Sequence, residues 1–124
     1  METRPTNSEL EILEVLWKRG PSSVRDVHEQ LGSRKEIGYT TVLKLLQIMA
    51  DKGLVSRDTG NRAHVYAARI PEQETKRSLV DDLAGRIFGG SAYRLAMHAL
   101  ESRRATPEEL SEIRRLLDQM EKEQ

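Results

Sequence analysis

Apolar residues recur along this chain at intervals of three and four in six stretches, the spacing of helices with one buried face. The first carries Leu10, Leu13, Leu16 and Trp17, with Ile12 beside them. It follows Thr6, Asn7, Ser8 and Glu9, which have the spacing of a capping box: the Thr hydroxyl accepts from the third amide and the Glu carboxylate reaches back to the cap. A helix is predicted from there to about Arg19, stopped by Gly20 and Pro21. A second, short helix is predicted from Ser23, with Asp26 at the box position, Val24, Val27 and Leu31 on its apolar side, and Gly32 at its end. The third begins near Gly38 and ends before Gly53. Val42, Leu45, Leu46 and Met49 form its buried stripe, and Thr40, Lys44, Gln47 and Asp51 its opposite face. Residues 54–56 and 63–67 then read as two strands around the turn Asp58, Thr59, Gly60 and Asn61, whose residue types suit a hairpin.

After Pro71 the pattern is wholly helical. Leu79, Leu83 and Ile87, with Val80, Ala84 and Phe88, make one broad apolar face that ends at Gly89 and Gly90. Ser91 caps a further predicted helix through Tyr93, Ala96, Met97 and Leu100. Thr106, Pro107, Glu108 and Glu109 form another capping box, with proline at the first helical position. The last helix carries Leu110, Ile113, Leu117 and Met120 in a three-four-three spacing, plus Leu116, a pattern that suits packing against another helix. Three short helices in so few residues make a poor independent core, and a partner chain would complete it. The expected fold is therefore mainly α with a small β-hairpin: a winged helix-turn-helix over residues 1–70 and a helical dimerisation region over 71–124. The expected pairing residues are Leu79, Leu83, Ile87, Phe88, Leu100, Leu110, Ile113, Leu117 and Met120.

Composition narrows the class. Of 124 residues 37% are hydrophobic and 32% charged, with one Trp, one Phe and three Tyr, so the core must be aliphatic. There is no cysteine, which removes disulfides, thiolate metal sites and thiol nucleophiles together. The opening METRPTNSEL has no apolar run and no segment approaches the length needed to cross a bilayer, so a cytoplasmic protein without membrane insertion is expected. Formal net charge is zero, but it is unevenly spread. Residues 34–69 hold seven cations (Arg34, Lys35, Lys44, Lys52, Arg57, Arg62, Arg69) against three anions (Glu36, Asp51, Asp58), while residues 71–124 hold nine against eleven. The positive charge gathers at the third helix and the hairpin.

That location matters because a major groove admits one helix and is read by short hydrogen-bonding side chains and small methyls. Thr40, Thr41, Lys44 and Gln47 meet this need, with Tyr39 beside them; the bland alternative is an ordinary solvated face. In the hairpin, Arg57, Asn61, Arg62 and His64 suit phosphates or a minor groove, and equally suit an edge strand kept soluble. Ser22 and Ser23 read as helix caps, although amides at a helix start also attract phosphate, so both roles stay open for Ser23. Arg25 and Lys35 are further phosphate candidates. The order of elements favours DNA, since the preceding helix would cross the backbone and the hairpin would flank the groove. A winged helix used only to bind proteins is the alternative, favoured by zero net charge and by Asp51 on the outer face. His28, His64 and His98 are isolated and lack metal-ligand spacing, with His28 expected at the edge of the core. No nucleophile triad, phosphate-cradling loop or dinucleotide fingerprint occurs, so neither catalysis nor a cofactor is expected.

Several stretches resemble the penicillinase repressor family of bacterial transcription regulators, the BlaI/MecI group. They are Glu9 with Val15, Leu16, Trp17, Gly20 and Pro21; Gly38 to Val42 (GYTTV) with Leu45 and Leu46; residues 52–57 (KGLVSR); residues 60–66; and Phe88, Gly89, Gly90 and Ser91. The resemblance implies a homodimer that binds an inverted-repeat operator through its N-terminal winged helices and represses by occupancy, with β-lactamase or related stress-response genes as targets. It also implies a membrane sensor protease as partner, which cuts the C-terminal helices of many relatives. Residues 95–100 here (LAMHAL) contain no recognisable scissile bond. Relatives that respond to copper carry cysteine pairs, which this chain lacks. It departs from the family pattern at Ile37, Gly38, Ile48 and Asp51.

Overall fold

A computed structural model describes residues 4–60 and 64–124, which form two compact units, Met1–Thr75 and Lys76–Gln124. The first contains α1 (Asn7–Arg19), β1 (Ser22–Ser23), α2 (Val24–Gly32), α3 (Tyr39–Lys52), β2 (Val55–Asp58) and β3 (Val65–Ala68). The capping boxes form as the sequence predicts. Glu9 N–H donates to Thr6 Oγ1 at 3.2 Å while Thr6 N–H donates to Glu9 Oε1 at 2.8 Å. At α2, Asp26 N–H donates to Ser23 Oγ at 3.1 Å and Ser23 N–H to Asp26 Oδ2 at 3.3 Å. Each box satisfies amides that a helix start otherwise leaves open.

Helix α3 stops at Gly53, whose φ of 81° lies in the left-handed region where a side chain would clash. Its turn is closed by Leu54 N–H donating to the Met49 carbonyl at 2.9 Å. The three helices bury Ile12, Leu13 and Leu16 of α1, Val24, Val27 and Leu31 of α2, and Val42, Leu46 and Met49 of α3, against Leu54, Val55 and Tyr66. Leu45, expected in the same stripe, is only half-buried: it sits at the margin of the face centred on Val42, Leu46 and Met49.

The sheet has three antiparallel strands in the order β1-β3-β2. Strand β1 pairs Ser22 with Tyr66 and Ser23 with Val65; two serines give no alternation by which to predict a strand. The other two strands also depart from their expected limits of 54–56 and 63–67. Strand β2 continues through Arg57 and Asp58, paired with Tyr66 and Val65, because ladder hydrogen bonds use the backbone and tolerate polar side chains. Ala63, the expected start of the second strand, lies outside the described residues.

Two polar contacts tie the unit together. Trp17 Nε1–H donates to the Ile70 carbonyl at 3.0 Å. Lys52 Nζ donates to both carboxylate oxygens of Glu9, at 2.9 and 3.0 Å, joining the end of α3 to the start of α1. Glu9 is only 2% exposed. Burial pushes its pKa up, but the Thr6 amide and the Lys52 ammonium more than offset this and hold it below the ordinary carboxylate value.

The second unit holds most of α4 (Glu72–Ile87), then α5 (Ala92–Ser102) and α6 (Pro107–Lys122). Ser91 Oγ caps α5, accepting from Arg94 N–H at 3.1 Å, and Thr106 and Glu109 exchange bonds of 3.0 and 2.8 Å at the start of α6. The apolar faces of these helices remain in solvent. Leu83, Ile87, Leu100, Leu110, Leu117 and Met120 are exposed, and Leu79, Phe88 and Ile113 are half-buried. Among the described residues no helix is long and apolar enough to cross a membrane.

Candidate nucleic-acid interface

The outer face of α3 is set by the helical period: with Val42, Leu46 and Met49 fixed inward, Thr40, Thr41, Lys44, Gln47 and Asp51 must point outward, and all five are exposed. Tyr39 begins the helix and is 48% exposed, and Ile48 adds an exposed aliphatic side chain beside Lys44 and Gln47. Strand β2 brings Arg57 to the same region. Gln47, Ala50, Asp51 and Arg57 line a shallow cleft of about 470 Å³. Hydroxyl, ammonium, amide, carboxylate and guanidinium groups thus lie on one surface.

The candidate cations differ in how they are engaged. Arg25 pairs with Glu29 at 3.3 Å and Lys35 with Glu11 at 2.9 Å, both at the surface. Such pairs contribute at most about 1 kcal/mol, so a phosphate exchanges readily for the carboxylate. Among the described residues Lys44 and Arg57 form no ion pair, and need no exchange. At the start of α2 the Ser23 hydroxyl and amide are both occupied by Asp26. The Ser23 amide, then its hydroxyl, and the nearby Arg19 and Arg25 hold the Asp26 carboxyl below its usual pKa. A phosphate there would meet a carboxylate. Arg62 lies outside the described residues, as does Asn61, while Asp58 Oδ1 shapes the approach to them by accepting from Gly60 N–H at 2.9 Å.

One contact in this region was not legible as a site feature. His28, at the edge of the core as expected, reaches from α2 to the segment before α3. Its Nε2 lies 2.9 Å from the Ile37 carbonyl, and its ring meets Tyr39 edge to face at 5.8 Å between centroids, with planes at 80°. Residues 28, 37 and 39 share no helical or strand spacing that would announce the contact. Among the described residues no group of His, Asp and Glu could hold a metal ion.

With this surface in view, comparison with known proteins is decisive: residues 5–119 match the family model described as penicillinase repressor. The chain belongs to the penicillinase repressor family. It is similar to the transcriptional regulator BlaI of Mycobacterium tuberculosis, with 37% identity over 121 residues that cover 96% of this chain and 86% of the relative. Among solved structures it is similar to the DNA-binding domain of the repressor BlaI, with TM-score 0.52, 25% identity, and coverage of 60% of this chain and 93% of that one. The monomeric form of Bacillus licheniformis BlaI, solved in complex with the blaP half-operator, has the same fold over 58% of this chain and 88% of its own, with TM-score 0.51 and 24% identity. The penicillinase repressor family is one of transcriptional repressors rather than enzymes.

Proposed function

We propose that this chain is a homodimeric transcriptional repressor. Its α3 enters the major groove of an operator half-site, and α4, α5 and α6 pair two chains so that two such helices meet an inverted repeat. The observation that carries this reading is the outer face of α3, where Tyr39, Thr40, Thr41, Lys44 and Gln47 are presented together with Arg57 across the cleft. Lys44 and Gln47 suit base edges and the Thr methyls suit thymine, while Arg57, Arg25 and Lys35 suit phosphate. Membership of the family supports the reading, as does the solved relative in complex with a half-operator.

Pairing is supported by the second unit, whose exposed leucines, Ile87 and Met120 offer an apolar surface that a second copy would cover. Two half-sites about 34–36 Å apart would then be held at once. A cytoplasmic location is consistent with repression by occupancy. A membrane sensor protease as the signal input rests on the family resemblance, with the outer side of α5 exposed along residues 96–100.

Fluorescence anisotropy with DNA from upstream of the protein's own gene, titrated with salt, tests this. If the dimer engages on the order of six to ten phosphates, affinity falls by roughly three to five decades between 50 and 200 mM salt. A protein that ignores that DNA at low salt, yet remains folded, is not this repressor, and a winged helix that binds other proteins takes its place.

A further inference from the structure

Four helices in this chain start behind a side-chain cap: Thr6, Ser23, Ser91 and Thr106 each accept from an amide of the first turn. Helix α3, which carries the groove-facing residues, does not. Its cap position is Gly38, which offers no side chain, although its backbone (φ −77°, ψ 151°) matches that of Ser23 (φ −78°, ψ 166°). The preceding residues 33–36 are exposed, and Ile37 is the part of that segment that packs on the core. The first turn of α3 therefore lacks the side-chain cap that fixes α1 and α2, the two other complete helices of its unit.

His28 stands where that device is missing. A carbonyl can only accept, so the 2.9 Å contact makes His28 Nε2 an N–H donor to the Ile37 oxygen. The same ring touches Tyr39, the first residue of α3. One side chain from the middle of α2 thus grips the peptide just before the cap and the residue just after it.

We propose that His28 is a positioning residue for operator binding: it leaves the first-turn amides uncapped but anchors the peptide before α3 and the Tyr39 ring, and so holds the first turn of α3, with Tyr39, Thr40 and Thr41, in the orientation that meets the groove. The proposal rests on the DNA-binding reading above. Ring contact alone would tolerate any flat side chain, whereas the carbonyl requires a donor.

The test measures operator affinity and thermal unfolding side by side for the full chain and its variants. His28→Phe keeps an aromatic ring but removes the donor, and should weaken operator binding by roughly three- to tenfold, the effect of one net hydrogen bond. His28→Gln restores a donor at similar reach and should recover most of that loss. Gly38→Ser should act independently. A Cβ at residue 38 meets nothing nearer than Thr41 Oγ1 at 4.0 Å, so the hydroxyl can be added without a clash and should recover binding in the His28→Phe background. The proposal is overturned if the wild type binds and His28→Phe, correctly folded, binds equally well. It is also overturned if His28→Phe loses affinity that neither His28→Gln nor Gly38→Ser restores. A wild type that binds no operator defeats the DNA-binding reading instead, and this proposal with it.

Discussion

Among the described residues, three helices and a sheet of Met1–Thr75 take thirteen apolar side chains, from Ile12 to Tyr66, out of solvent, whereas in Lys76–Gln124 Ala84 is the apolar side chain that is buried. The two stretches do not differ in the quality of their helix signals, since both have capping boxes and apolar faces. They differ in what the faces meet. In the first unit the hairpin returns the chain across the helices, so Leu54, Val55 and Tyr66 close the stripe that α1, α2 and α3 leave open. The second unit has no sheet to do this, and its leucines stay at the surface. Good local propensity makes a helix, but only a second layer makes a core.

The sharpest way to break this contrast is Leu117→Asp, which puts an uncompensated charge on the exposed face of α6. Loss of pairing should halve the mass seen in sedimentation equilibrium and lower operator affinity by about 10²- to 10⁴-fold, because linked half-sites become separate ones. Unfolding of the first unit should be unchanged. Unaltered mass would place the partner surface elsewhere. Leu46→Ala is the converse experiment: a cavity beneath α3 should cost about 2–5 kcal/mol in denaturant unfolding while the mass stays that of the parent.

Lys52→Met probes the buried carboxylate. Left without its cation, Glu9 should destabilise the first unit by less than the roughly 3–5 kcal/mol of a fully buried pair, since Lys52 is partly exposed. Because the folded Glu9 pKa is lowered, the stability it contributes is complete above the ordinary carboxylate value of about 4.3 and is lost as pH falls through the lower folded value. Denaturant midpoints of Lys52→Met and its parent should therefore converge in acid. The smallest effect is expected from Tyr66→Phe. The Tyr66 hydroxyl is buried with no hydrogen-bond partner among the described residues, so its removal should shift stability by less than about 1 kcal/mol and need not lower it. A larger loss would reveal a partner for that oxygen.

The helices of both units were legible because their signals are local: Thr6 with Glu9, Ser23 with Asp26 and Thr106 with Glu109 lie three residues apart. The outward residues of α3 followed from the same periodicity. What the sequence hid depends on contacts distant along the chain. Strand β1 is a pair of serines until Val65 and Tyr66 arrive beside it, the Glu9–Lys52 pair spans 43 positions, and His28 finds Ile37 only after α2 and α3 have turned. Leu45 packs against the core but stays half-buried, since a stripe inferred from residue type alone is wider than the face the neighbouring helices cover.

Strand β3 lies between the other two strands, registered on one edge by Ser22 and Tyr66 and on the other by Val55 and Ala68. A one-residue slip of β3 would have to break both edges together, so the register of β2 is held from the far side of the sheet as well. Loss of the short pairing of Ser22 and Ser23 would therefore loosen the register that carries Arg57.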